Sequence, residues 1–176
     1  MKTAFVLLAV ITVAVACNPP ADNELNDEII RLETQFKASP EDTTITRQLA
    51  DVLSRSAKRS KNDSISPYRM LQAAMLTRSL PGQELESIVA FQRVGLNYPD
   101  HPVAAEAKFQ EAFTWDTFVG NEEEAIAGYR EFLDQFPTHP RGATAQELLI
   151  LLESDDAVLE IINSWQANDS TSSPNP

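Results

Sequence analysis

Cysteine is almost missing from this chain. Cys17 is the only one in 176 residues, so no intramolecular disulfide can form. Glycine is scarce as well, with 5 in the whole sequence, and the composition favours helices over a sheet. Basic charge is in short supply: 14 Lys and Arg stand against 26 Asp and Glu, a formal net charge of −12. That deficit argues against a nucleic-acid binder and against a polybasic membrane-surface module. The acidity reads as a solvated, self-repelling surface. No apolar run approaches the ~20 residues of a membrane-spanning helix. Glycine-rich phosphate loops, serine elbows, Cys–His pairs and His-x-x-x-His spacings are missing too. The expectation is a chain without catalysis, cofactor or metal, and an enzyme or metal-dependent protein is the weakest alternative.

What is present begins at the N-terminus. Met1-Lys2-Thr3 is a short positive start, Ala4 to Val13 is apolar except for Thr12, and small residues follow at Ala14-Val15-Ala16. A charged start, a brief apolar run and a small-residue exit are the marks of a secretory signal peptide. Ala14-Val15-Ala16-Cys17 resembles the bacterial lipobox. That resemblance implies lipidation of the Cys17 thiol, whose thiolate is a good nucleophile. Several acyl chains would make the anchor effectively permanent. The alternative is an ordinary signal peptide that ends near a cysteine. Asn18 after the cysteine does not resemble the inner-membrane retention signal, which implies lipid anchoring on the bacterial outer membrane, facing the periplasm. The expected organisation is a leader over 1–16, a Pro19-Pro20 tether over 17–24, helical pairs over 25–66 and 67–167, and a disordered polar tail over 168–176.

Between these ends the apolar residues recur at helical spacing. Leu25, Ile29, Leu32 and Phe36 form one stripe, stopped before Pro40; Ile45, Leu49, Val52 and Leu53 form a second. Ser66-Pro67 predicts a third helix with an N-cap serine and a proline at its first position. Helices follow at roughly 83–98, 102–119, 121–136, 140–153 and 155–166, joined by short connections that suit antiparallel neighbours.

Segment 82–107 matches segment 120–145 at nine positions when shifted by 38 residues. The pairs are Gly82/Gly120, Glu84/Glu122, Glu86/Glu124, Ile88/Ile126, Pro99/Pro137, His101/His139, Pro102/Pro140, Ala105/Ala143 and Ala107/Ala145. Self-similarity at such a period signals stacked supersecondary units. The glycine permits the turn between antiparallel helices, and the Tyr-Pro and Phe-Pro steps end the second helix of each pair. The two sets Gly82, Ser87, Phe91, Pro99 and Gly120, Ala125, Tyr129, Pro137 resemble the signature of the tetratricopeptide repeat. The family's small first-helix residue falls on Ala74 or Met75 in one repeat and on Ala112 or Phe113 in the next. The resemblance implies an all-α fold of antiparallel helix pairs stacked as a short right-handed solenoid. It is similar in wording to envelope lipoproteins of that family, those of β-barrel assembly and of Tol-associated cell division.

The family's groove positions carry over to Arg69, Gln72, Leu76, Gln110, Thr114, Thr117 and Phe118. They imply a concave surface for an unidentified envelope protein or peptide in mixed polar and apolar contacts. The function so implied is a membrane-anchored scaffold or adaptor working by protein–protein contact. The alternative is an accessory subunit of an outer-membrane assembly or secretion machine, which would carry a large exposed apolar patch. His101 and His139 read as helix-entry residues copied with the repeat, Glu122 to Glu124 as first-turn acids at a helix N-terminus, and Trp165 as core of a last helix.

Overall fold

The computed structural model describes residues 22–60 and 64–154, all of whose regular structure is helical. The leader, Cys17, the tail and the helix expected at 155–166 with Trp165 lie outside the described residues. The helices are α1 (Asp22–Ala38), α2 (Thr43–Arg59), α3 (Ser66–Arg78), α4 (Glu84–Asn97), α5 (Val103–Thr114), α6 (Glu122–Gln135) and α7 (142–154). A π-helical turn, Trp115–Val119, continues α5. Helix α1 starts at Asp22, inside the 17–24 span expected for the tether, whose earlier residues lie outside the described ones.

Local chemistry sets the ends of each element. The Asp42 carboxylate accepts from the Thr44 and Ile45 backbone N–H groups and caps α2. Asn121 does the same for α6 through Glu124 N, with Glu122, Glu123 and Glu124 in the first turn facing the positive end of the helix dipole. The expectation for Ser66 needs correction. Ile65 holds the cap position, and the Ser66 hydroxyl donates 2.6 Å back to the Ser60 carbonyl, tying α3 to the end of α2. Gly82 and Gly120 have φ of +73° and +69°, the left-handed conformation that reverses the chain between paired helices.

Each helix packs on the one before and the one after it, and α3 also meets α5. The core is therefore a series of clusters along the chain. Leu25, Ile29 and Leu32 meet Leu49, Val52 and Leu53, closed by Ala73 and Leu76 of α3. Ala57, Met70, Ala74, Phe91, Val94, Val103 and Ala107 make the next cluster. Phe109, Ala112, Ala125, Tyr129 and Phe132 with Ala145, Leu149 and Leu152 make the last. Burial of each large side chain among these contributes ~1.5–3 kcal/mol. The outcome is an all-α stack of consecutive helix pairs, as the 38-residue period implies.

The stack settles which small residues lie at the close crossings. Ala74 and Ala112 are fully buried, whereas Met75 is 40% exposed. A Cβ added at Gly128 would stand 2.8 Å from the Ala112 Cβ, so α5 and α6 approach at this pair as closely as their backbones permit.

Candidate interaction surface

The first helices of successive pairs, α3 and α5, lie side by side and carry the expected groove positions. Three of those positions are not surface. Leu76 is buried in the first cluster, and Thr114 is completely buried with its hydroxyl donating 2.6 Å to the Gln110 carbonyl. Gln110 is buried under a polar network, its amide donating to Glu106 and its oxygen accepting from Arg78. Arg69 is half-buried and committed to the stack, donating to Asn26 Oδ1 of α1 and Ser56 Oγ of α2, each at 2.7 Å. Gln72, Thr117 and Phe118 remain exposed. The outward row of α3 is Tyr68, Gln72 and Met75, spaced by four and three residues. It lies one residue before Leu76 because Ala74, and not Met75, takes the crossing.

The π turn shapes the rest of the surface. It fits one more residue per turn than α5 above it, which rotates the side chains beyond Thr114 out of α-helical phase. Trp115 turns inward onto the last cluster, and the Asp116 carboxylate accepts from the Tyr129 hydroxyl at 3.1 Å. Burial, then the charge and hydrogen bond of Asp116, push the Tyr129 phenol up, so it stays a proton donor. Phe118 is left 45% exposed with its ring edge-on to Phe113 at 6.2 Å. Trp115 O accepts from both Gly120 N–H and Asn121 N–H, which closes the turn.

Under Phe118 stands Arg78. Its guanidinium carbon lies 5.0 Å from the Phe118 ring centroid, 5.7 Å from Phe113 and 5.6 Å from Phe91. Burial lowers the Arg78 pKa, partly offset by the charge of Glu106, and the group remains a cation. Among the described residues it makes no ion pair. Glu106 itself is engaged by Arg141, whose Nε donates at 2.7 Å and whose guanidinium lies 4.8 Å over the Phe109 ring. Burial pushes the Glu106 carboxyl up, but the hydrogen bonds of Arg141 and Gln110 outweigh it and hold the carboxyl below its ordinary range. The surface thus offers an aromatic ledge, amide and hydroxyl groups, and a half-buried cation that holds the Gln110 oxygen and feels the Glu106 charge without an ion-pair contact among the described residues. Sequence spacing singles out neither Arg78 nor its aromatic surround. A last-turn arginine is common, and apolar periodicity does not reveal a π turn.

The repeated histidines have a local task. His101 Nδ1 accepts from Val103 N–H at 3.2 Å, and His139 Nδ1 accepts from Arg141 N–H at 3.3 Å, each at a helix entry. Their rings meet Tyr68 and Phe132 edge-on. On the other side of the stack, a cleft of about 420 Å³ opens between α4, α5 and α6, over Gly95, Leu96, Pro99, Ala104 and Phe136. Lys108 there bridges Glu111 and Glu131, and Gln92 donates to Glu111 at 2.9 Å, so these charged groups satisfy one another. No described helix is long and apolar enough to cross a membrane. Comparison with family models, with characterised proteins and with solved structures finds no match.

Proposed function

We propose that this chain is a lipid-anchored scaffold of tetratricopeptide type, held on the bacterial outer membrane through Cys17 and engaging a protein partner on the α3–α5 surface. The observation that carries the binding surface is Arg78, a half-buried cation without an ion pair, under the exposed Phe118 ring. Groups of this kind, an arginine with aromatic neighbours, are enriched where protein interfaces hold most of their binding energy. The stacked helix pairs, the buried Ala74 and Ala112 and the left-handed Gly82 and Gly120 support the repeat type. The anchor rests on the leader and the lipobox-like residues 14–17.

Two experiments test the two halves of this reading. A photo-crosslinking residue at Gln72 or Phe118 is expected to capture the same partner in cells, with capture falling at least tenfold when Arg78→Ala is added. A probe at Glu123, on the exposed side of α6, should capture none of it. Equal capture from both faces, or capture indifferent to Arg78, removes the surface from the proposal. Separately, Cys17→Ser should move the protein from the detergent phase to the aqueous phase; retention in detergent removes the anchor.

A further inference from the structure

The second helices of successive pairs present their outer faces to solvent, and one of them differs from its neighbours. On α2 the outward residues include Arg47, Asp51, Arg55 and Lys58, and on α6 they include Glu123, Ala127, Arg130 and Asp134. Both rows are solvated. On α4 the corresponding row is Leu85, Val89, Gln92 and Leu96, with Leu85 56%, Val89 44% and Leu96 80% exposed, while Gln92 is exposed and its amide reaches Glu111 at the rim of the cleft. Exposed apolar side chains scattered singly need no explanation, but three on one helix face form a stripe.

The spacing of that stripe is four, three and four, the seam spacing of helices that pair with one another. Glu86 and Arg93 stand seven residues apart on one flank of it, and with Leu85 and Val89 they line a shallow concavity of about 300 Å³. Neither makes an ion pair among the described residues. These positions are self-complementary. If a second α4 lies antiparallel across the stripe, with a two-fold axis near residue 90, Leu85 of each copy faces Leu96 of the other. Val89 then faces Gln92, and Glu86 faces Arg93, twice. A two-fold axis keeps equivalent flanks on the same side of such a pair, which is what brings the opposite charges together. A parallel pairing in register would set like charges at matching heights.

We infer that the outer face of α4 is a self-association surface, on which a second copy of this chain docks antiparallel with Glu86 of each copy against Arg93 of the other. A helix of 14 residues is roughly 21 Å long and covers less area than a standard interface, and each chain carries a formal charge of −12. The dimer is therefore weak and reversible. This surface is separate from the α3–α5 surface, so either can fail without the other.

Sedimentation equilibrium of the full chain in density-matched detergent tests the inference. The expected result is a monomer–dimer equilibrium weakened at least tenfold by Val89→Glu. It should also be weakened at least tenfold by Glu86→Arg alone and by Arg93→Glu alone, because each puts like charges opposite one another. The double variant Glu86→Arg/Arg93→Glu should return the dissociation constant to within about twofold of the parent, since the swap preserves both pairs. Unchanged helical circular dichroism in each variant keeps the comparison free of folding effects. A monomer at every concentration up to roughly 500 micromolar overturns the inference and leaves the stripe to a different protein. A dimer indifferent to Val89→Glu, or one that the double swap fails to restore, overturns the face or the two-fold pairing.

Discussion

The α3–α4 pair and the α5–α6 pair share a period and a turn glycine but fill their interiors differently. The α5–α6 cluster is aromatic: Phe109 stacks beside Phe113, tilts against Tyr129 and meets Phe132 edge-on, with Trp115 and Phe136 at its margins. The α3–α4 cluster holds one fully buried ring, Phe91, among Met70, Ala74, Val94 and Ala107. Two repeat-related positions carry the contrast into the backbone. Ala90 of α4 corresponds to Gly128 of α6, and Gly95 of α4 corresponds to Leu133 of α6. Where the aromatic pair is drawn tight, its helix gives up a methyl group; Gly95 of α4 instead borders the cleft that α4 shares with α5 and α6. Equivalent positions in a repeat therefore keep the fold while redistributing volume.

The tight crossing provides the largest test of that contrast. Gly128→Ala places a Cβ 2.8 Å from Ala112 Cβ and 3.2 Å from its Cα, and backbone on both sides cannot yield without moving a helix. Overpacking of this kind costs about 1–3 kcal/mol, more than the ~1 kcal/mol that alanine gains over glycine in a helix interior. Denaturant unfolding should show net destabilisation at Gly128, whereas the mirror change Ala90→Gly should lose only about 1 kcal/mol through helix propensity. Equal behaviour at the two positions would mean that the two crossings are equally close.

The glycine of α4 predicts the opposite sign. Nothing lies within 4 Å of a Cβ added at Gly95, which sits inside α4 at the edge of the 420 Å³ cleft. Gly95→Ala should therefore stabilise the chain by about 0.5–1 kcal/mol, chiefly by restricting the unfolded state. A loss of stability in a thermal or denaturant melt would show that the position is crowded in solution. The cleft volume itself should scarcely change, because one methyl group is small against it.

The contrast between the two repeats also explains what the amino-acid order reveals and what it hides. Helix existence and bounds from Leu25 to Leu152 are legible because the stripes are regular and the Tyr98-Pro99 and Phe136-Pro137 steps punctuate them. The register within α3 and α5 is not legible. Ala74 and Met75, like Ala112 and Phe113, are adjacent, and apolar periodicity accepts either neighbour. Choosing the wrong one moves the outward row by one residue, which is how Leu76 and Thr114 come to be expected on a surface from which they are excluded. The π turn compounds this, since its extra residue advances Phe118 out of α-helical phase. Arg78 escapes notice for a related reason: its aromatic surround comes from α4, α5 and the π turn together.

The smallest effect separates the two pairs through charge. Glu106 on α5 is tied to Arg141 and Gln110, while its counterpart on α3 is Tyr68, which rests on His101 and carries no such pair. The Glu106 carboxyl is held below its ordinary value of 4.5 in the folded chain. A carboxyl so depressed binds fewer protons folded than unfolded. Its contribution to stability is present above the unfolded pKa and lost as pH falls through the folded one. Glu106→Gln should therefore lower stability at neutral pH by about 0.5–1 kcal/mol, allowing for a pair that solvent partly screens. The difference from the parent should narrow below roughly pH 4 as the parent's own carboxyl becomes protonated. Thermal melts of both chains across pH 3 to 7 decide the matter: a gap that stays constant over that range would assign the loss to packing around Gln110, and a gap that closes in acid assigns it to the charge on Glu106.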